Sequence, residues 1–127
     1  MTQFHLISLL LLLPVLLDAV GDALRVRGNQ ITHHLMEVLH VGIWIALWAL
    51  FAFQWEYILM YVLGRIILFD VVFNLTVGLK IGYVGDSSIY DKLLKLFGGW
   101  VKQHPAHFAF ITRFMALLFW IGLLLKL

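Results

Sequence analysis

The chain contains no cysteine. Disulfides, thiolate metal ligands and cysteine nucleophiles are therefore excluded, and the redox compartment stays open. Proline is scarce, with only Pro14 and Pro105, so long helices can run with few interruptions. Charge is scarce too. Only 13% of the residues are Asp, Glu, Lys or Arg, where a soluble domain carries about 25%. A net charge of +2 gives no footing for nucleic acid as a partner.

What fills the space is apolar: 63% of the 127 residues are hydrophobic, against about 45–50% in a soluble domain. This composition predicts an all-α, polytopic integral membrane protein of one domain, residues 1–127. A helix needs about 20 apolar residues to cross a bilayer. Four segments meet that length: 4–24, 34–55, 57–79 and 108–127. They form a small four-helix bundle, with Pro14 expected to kink the first helix and residues 34–79 expected to make a tight hairpin. Between the third and fourth spans, Ser88 and Asp91 resemble a capping box. Leu93, Leu94, Leu96, Phe97 and Trp100 then alternate with Lys92, Lys95 and Lys102. This pattern predicts a short amphipathic helix at the membrane interface over 88–103. Leu6 to Leu17 has the look of a signal-peptide core, but no basic residue precedes Arg25, so a retained membrane helix is expected.

Orientation follows from the basic residues of the short loops. Arg25 and Arg27 follow the first span, and Lys80, Lys92, Lys95 and Lys102 follow the third, while the turn at Gln54 to Glu56 has none. The two basic loops fall on one side, expected to be cytoplasmic, with both termini outside. The expected location is a bacterial inner membrane, with Trp48, Trp55, Tyr57 and Tyr61 as an outer aromatic belt. Membrane lipid is the expected partner, together with a lipid-like substrate and a second copy of the chain or a larger complex.

Against this apolar background, ionisable groups stand out. A charged side chain at the centre of a membrane helix costs at least ~2.5–3.5 kcal/mol, so it calls for a partner or a function. Asp18 and Asp22 are four apart near the end of the first span. His33, Glu37 and His40 share one face at the start of the second, with His34 and Glu37 as an alternative pair. Asp70 and Asn74 are four apart in the third, and Arg113 lies near the start of the fourth. The antiparallel weave carries all of these to the cytoplasmic half. Carboxylates and imidazoles projecting from facing helices are how metal sites arise in bundle cores. Asp18, Asp22, His33, His34, Glu37, His40, Asp70 and Asn74 are the candidate ligands of a divalent ion (Zn, Mn, Fe or Mg).

A charge count points the same way. Asp18, Asp22, Glu37 and Asp70 contribute four negative charges, and Arg65, Arg113 and boundary Arg25 offset two or three, leaving one or two to be met by protons, by imidazolium or by a metal. Arg65 can pair with Asp18, Glu37 or Asp70, and Asp70 with Arg65 or Arg113. Glu37, Asp70 and Arg113 are the candidate catalytic residues of a metal-dependent hydrolase or transferase acting on a lipid-like phosphate. The alternative is a non-enzymatic membrane protein: a proton- or cation-conducting oligomer, or a holin-like or accessory subunit. His34-Leu-Met-Glu37 lacks the spacing of the zinc-protease motif, in which Glu directly follows His.

Overall fold

A computed structural model describes residues 3–51, 54–81, 83, 96, 99 and 103–126. Its elements are α1 (Gln3–Leu10), α2 (Leu12–Val26), α3 (Gln30–Leu50), α4 (Trp55–Val77) and α5 (Pro105–Lys126). Counting α1 and α2 together, four helices are long and apolar enough to cross a membrane. The shortest, α3 with 21 residues, is roughly 32 Å long at about 1.5 Å per residue, against a hydrocarbon core of about 30 Å. The expected interfacial helix falls on 88–103, almost all of it outside the described residues.

Local chemistry sets the helix ends. α3 starts at Gln30, four residues before the expected boundary, because the Asn29 side chain caps it by accepting from the Thr32 amide at 3.2 Å. Gly28 precedes the cap at φ +80° and turns the chain between α2 and α3. Gly78, at φ +88°, closes α4, and its amide donates to the Asn74 carbonyl at 2.9 Å. Pro105 opens α5, where its missing N–H costs nothing. The break between α1 and α2 falls at Leu11, just before Pro14. Proline at 14 cannot donate to the Leu10 carbonyl, so the helical ladder is interrupted one turn upstream of it.

One stripe organises the bundle. Ile7, Leu11, Val15, Ala19 and Ala23 recur every four residues along α1–α2, and all are almost fully buried. The stripe tapers from large to small. At its wide end it joins Tyr57, Met60 and Leu63 of α4 and Ala116 and Trp120 of α5 in the main apolar core. At its narrow end α2 packs closely on both α3 and α4. Small residues permit the approach: a methyl added at Gly21 would stand 3.1 Å from Met36 Cβ of α3, and one at Gly64 would stand 2.8 Å from Leu12 Cδ2. α2 therefore lies against both members of the expected α3–α4 hairpin. Those two meet through side chains such as Trp44 and Tyr61, whose rings are 4.8 Å apart.

The expected aromatic belt divides. Trp48 and Trp55 are exposed, but Tyr57 is buried, stacked on Phe4 with ring centroids 5.6 Å apart, and Tyr61 is half-buried against Trp44. α5 packs on α4 and leaves Phe110, Phe114 and Phe119 outward.

Candidate functional site

The polar groups of α2, α3, α4 and α5 do gather toward one end of the bundle, but as three separate arrangements. The first is an ion pair between α2 and α4, in which the Arg65 guanidinium donates to Asp18 Oδ2. The Arg65 guanidinium also lies over the Phe69 ring, 4.1 Å from its centroid, a cation–π contact that shields the charge from its apolar neighbours.

The second joins α4 to α5. Arg113 Nη2 donates to Asp70 Oδ2 at 3.1 Å, and Nη1 donates to the Ile81 carbonyl at 3.2 Å. Arg113 is 9% exposed. A cation so placed is tolerable because a carboxylate and a carbonyl both meet it. Asn74, expected as a metal ligand, belongs to this arrangement. Its amide nitrogen donates to the carbonyls of Tyr83 at 2.9 Å and Ile81 at 3.4 Å, and so ties down the chain leaving α4.

The third arrangement is the His33–His34–Glu37 group on the first turns of α3. Its three ligand-competent atoms lie within 4.8 Å of one another, and among the described residues it is the group of that kind. His33 is buried by the close approach at Gly21, and its Nδ1 lies 2.9 Å from the Gly21 carbonyl oxygen. A carbonyl only accepts, so Nδ1 carries the hydrogen. In the neutral ring Nε2 is then a lone pair, and it faces Glu37 Oε1 at 3.3 Å. A lone pair opposite a carboxylate is repulsive unless a proton or a cation lies between them. The other carboxylate oxygen, Oε2, is 3.0 Å from His34 Nδ1. Glu37 and His34 are open to solvent, with 55% and 69% of their side chains exposed, whereas His33 has 6%.

Two expected ligands lie near these groups without joining them. Asp22 is in electrostatic reach of Asp18, His33, Arg65 and Arg25. His40 is one turn further along α3 from Glu37, with its ring edge-on to Tyr61, 6.5 Å between centroids, and its Nδ1 buried without a hydrogen-bond partner. Asp18 and Asp70, also expected as ligands, each face an arginine instead. The charge count is thereby localised. Asp18 and Asp70 are matched by Arg65 and Arg113, and the surplus negative charge rests on Asp22 and Glu37, beside the imidazoles.

One participant has an open choice of partner in the sequence, and another carries no side-chain mark there at all. Arg65 figures there as a charge with three candidate partners, Asp18, Glu37 and Asp70, and the partner it takes is Asp18. The Gly21 carbonyl orients His33, and a backbone acceptor has no side-chain signature. Its only trace is the glycine itself, a residue small enough to let α3 come close. Comparison of the chain with known protein families, with curated proteins and with solved structures found no match.

Proposed function

We propose that this chain is a small integral membrane protein that holds a divalent metal ion at the cytoplasmic end of its bundle through His33, His34 and Glu37. The residues that would hold the ion would serve a hydrolase or transferase reaction on a lipid-like phosphate substrate. The observation that carries this reading is the hydrogen bond from His33 Nδ1 to the Gly21 carbonyl at 2.9 Å, which aims Nε2 at Glu37 Oε1. Metal-bound histidines characteristically donate their other ring N–H to a carbonyl or carboxylate, which fixes both tautomer and ring orientation. Spacing agrees as well. Two ligands about 2.1 Å from a tetrahedral ion stand roughly 3.4 Å apart, and Nε2 and Oε1 are separated by 3.3 Å.

The chemistry of the donor set, two imidazoles and a carboxylate with no sulfur, suits zinc or a similar divalent ion. Three protein ligands on a solvent-facing turn leave coordination positions open. A bound ion in such a site supplies Lewis-acid polarisation of a phosphoryl or carbonyl oxygen, or a reactive hydroxide. The protein side chains do the rest. His33 is held by the backbone, Glu37 brings the compensating charge, and Arg25 lies on the same end of α2 to meet an anion. The four apolar helices and the basic residues that follow the first and third spans support insertion with this end toward the cytoplasm.

Elemental analysis of the purified protein tests the metal directly. One equivalent of divalent metal is expected in the wild type and in Asp70→Asn, and loss of it in His33→Ala and Glu37→Ala. Metal-free wild type, or equal metal in all four proteins, rejects the assignment.

A second reading has its own observation. Asp18 and Asp70 are each matched by an arginine across a helix interface, which suits an accessory membrane protein whose polar groups serve assembly. Absence of metal together with instability of Asp18→Asn and Asp70→Asn would favour it. Proton or cation flux in liposomes that depends on Asp70 would favour the conducting oligomer instead.

A further inference from the structure

At the same end of the bundle a cavity of about 490 Å3 opens between α2, the start of α3 and the last turns of α4, lined by Asp22, Arg25, Val26, Gln30 and Phe73. Its two charged walls have opposite sign. Among the described residues neither Asp22 nor Arg25 is part of an ion pair or hydrogen bond of its side chain, whereas Asp18 and Asp70 each have an arginine. Both stand on one face of α2, three residues apart, so their Cβ atoms are about 5–6 Å from each other. An anion alone would meet Asp22, and a cation alone would meet Arg25. A zwitterion with its charges one short linker apart satisfies both.

The remaining lining adds the rest of the ligand. Gln30 offers a side-chain amide at the first turn of α3. Val26 and Phe73 are apolar, and Phe73 continues into Phe69, with ring planes 8° apart and centroids separated by 6.3 Å. An aromatic strip thus runs from the cavity down α4. We infer that this cavity binds the headgroup of a zwitterionic phospholipid of the phosphoethanolamine type. Its phosphate sits at Arg25 and Gln30, its ammonium at Asp22, and an acyl chain lies along Phe73 and Phe69. Ethanolamine is favoured over choline because a primary ammonium donates hydrogen bonds to a carboxylate and a quaternary one does not. The inference rests on the membrane reading and shares Arg25 as the anion contact with the proposed function, but it needs no metal.

The test uses the full chain in bilayer discs containing equal ethanolamine, choline and glycerol phospholipids, with retained lipids counted by native mass spectrometry. Wild type is expected to retain the ethanolamine lipid about fivefold over the other two, the upper end of what one exposed ion pair contributes. Asp22→Asn should shift retention toward the anionic glycerol lipid, and Arg25→Gln should abolish the preference. Equal retention by wild type, or a preference unchanged in both variants, overturns the assignment. So does binding of soluble phosphoethanolamine without any retained lipid. Arg25 is exposed, so Arg25→Gln together with Gln30→Ala carries the test if Asp22→Asn loses helicity. Flotation with vesicles separates the two levels of failure. A chain that does not float sinks the membrane reading and this one with it, while flotation without lipid selectivity sinks the headgroup assignment alone.

Discussion

The two ends of the α1–α2 stripe are buried to the same degree by opposite means. At the wide end Ile7 and Leu11 fill space against Met60 and Trp120. At the narrow end Ala19 and Ala23 occupy little space, and that lets polar groups of three helices reach one another: Asp18 meets Arg65, and the Gly21 carbonyl meets His33. The wide end is held by dispersion and shape, which act weakly per atom and tolerate small changes. The narrow end is held by a few strong, matched interactions, each costly to leave half-made. A site that must keep an imidazole and a carboxylate in fixed relation belongs on the second kind of scaffold.

The largest effect should therefore come from unmatching a charge. Asp70→Asn leaves the Arg113 guanidinium, 9% exposed, without its carboxylate. It should lower unfolding stability in detergent by about 3–5 kcal/mol. The double variant Asp70→Asn/Arg113→Leu should recover a good part of the loss, since two apolar-compatible groups replace a broken pair. A double variant as unstable as the single one would mean that the pair is not what holds α4 to α5.

At the wide end the corresponding probe is Met60→Ala. Met60 is fully buried in the apolar core, and its truncation should cost about 2–4 kcal/mol through lost contacts and a residual cavity. It should leave metal content and lipid retention unchanged, because no polar group depends on it. A loss larger than that of Asp70→Asn would reverse the contrast between matched charges and apolar packing.

Much of this contrast is legible in the sequence, and some of it is not. Hydropathy alone places the four long helices, because twenty apolar residues in a row have few other fates. The i, i+4 spacing of His33 and Glu37 is local, and the structure keeps it within one arrangement. The single eight-residue cluster expected from helix spacing is different. It resolves into three arrangements, because spacing fixes which residues share a face and says nothing of which face turns to which helix. Asp18 had three helices to face and faced Arg65. Asn74 met the carbonyls of residues just beyond its own helix, Ile81 and Tyr83. Helix pairing was equally hidden. Adjacency in sequence favoured α3 against α4, but Gly21 and Gly64 make α2 the surface to which both come close.

The two glycines offer a finer comparison. Alanine is the better helix former by about 1 kcal/mol, so each Gly→Ala change sets that gain against a clash. At Gly64 the obstacle is Leu12 Cδ2, the far end of a flexible side chain that can rotate away, at 2.8 Å. Gly64→Ala should change stability by under about 1 kcal/mol in either direction. At Gly21 the obstacle is Met36 Cβ at 3.1 Å, an atom fixed to the backbone of α3. Gly21→Ala should cost about 1–2 kcal/mol net. It should also weaken metal retention, because moving α3 outward lengthens the bond from His33 to the Gly21 carbonyl. Thermal unfolding and metal analysis of the two variants side by side check both statements, and equal behaviour would show that α2 fits α3 no more tightly than it fits α4.

A small and local effect tests whether the site depends on its helix as a whole or only on its ligands. Asn29 caps α3 through the Thr32 amide, and its backbone carbonyl accepts from the His33 amide at 3.1 Å. Asn29→Ala removes the side-chain bond and keeps the carbonyl, so the expected loss of stability is about 1 kcal/mol. The loss is local, because fraying is confined to the first turn of a helix. His33, His34 and Glu37 begin within that turn. Some of the 1 kcal/mol should therefore appear as weaker metal binding, about threefold to fivefold in the dissociation constant measured by chelator competition. A longer polar loop inserted between α3 and α4, at the opposite end of α3, should leave that constant unchanged. If the two variants weaken the metal equally, the group is governed by the stability of the whole bundle, and the local reading of α3 fails.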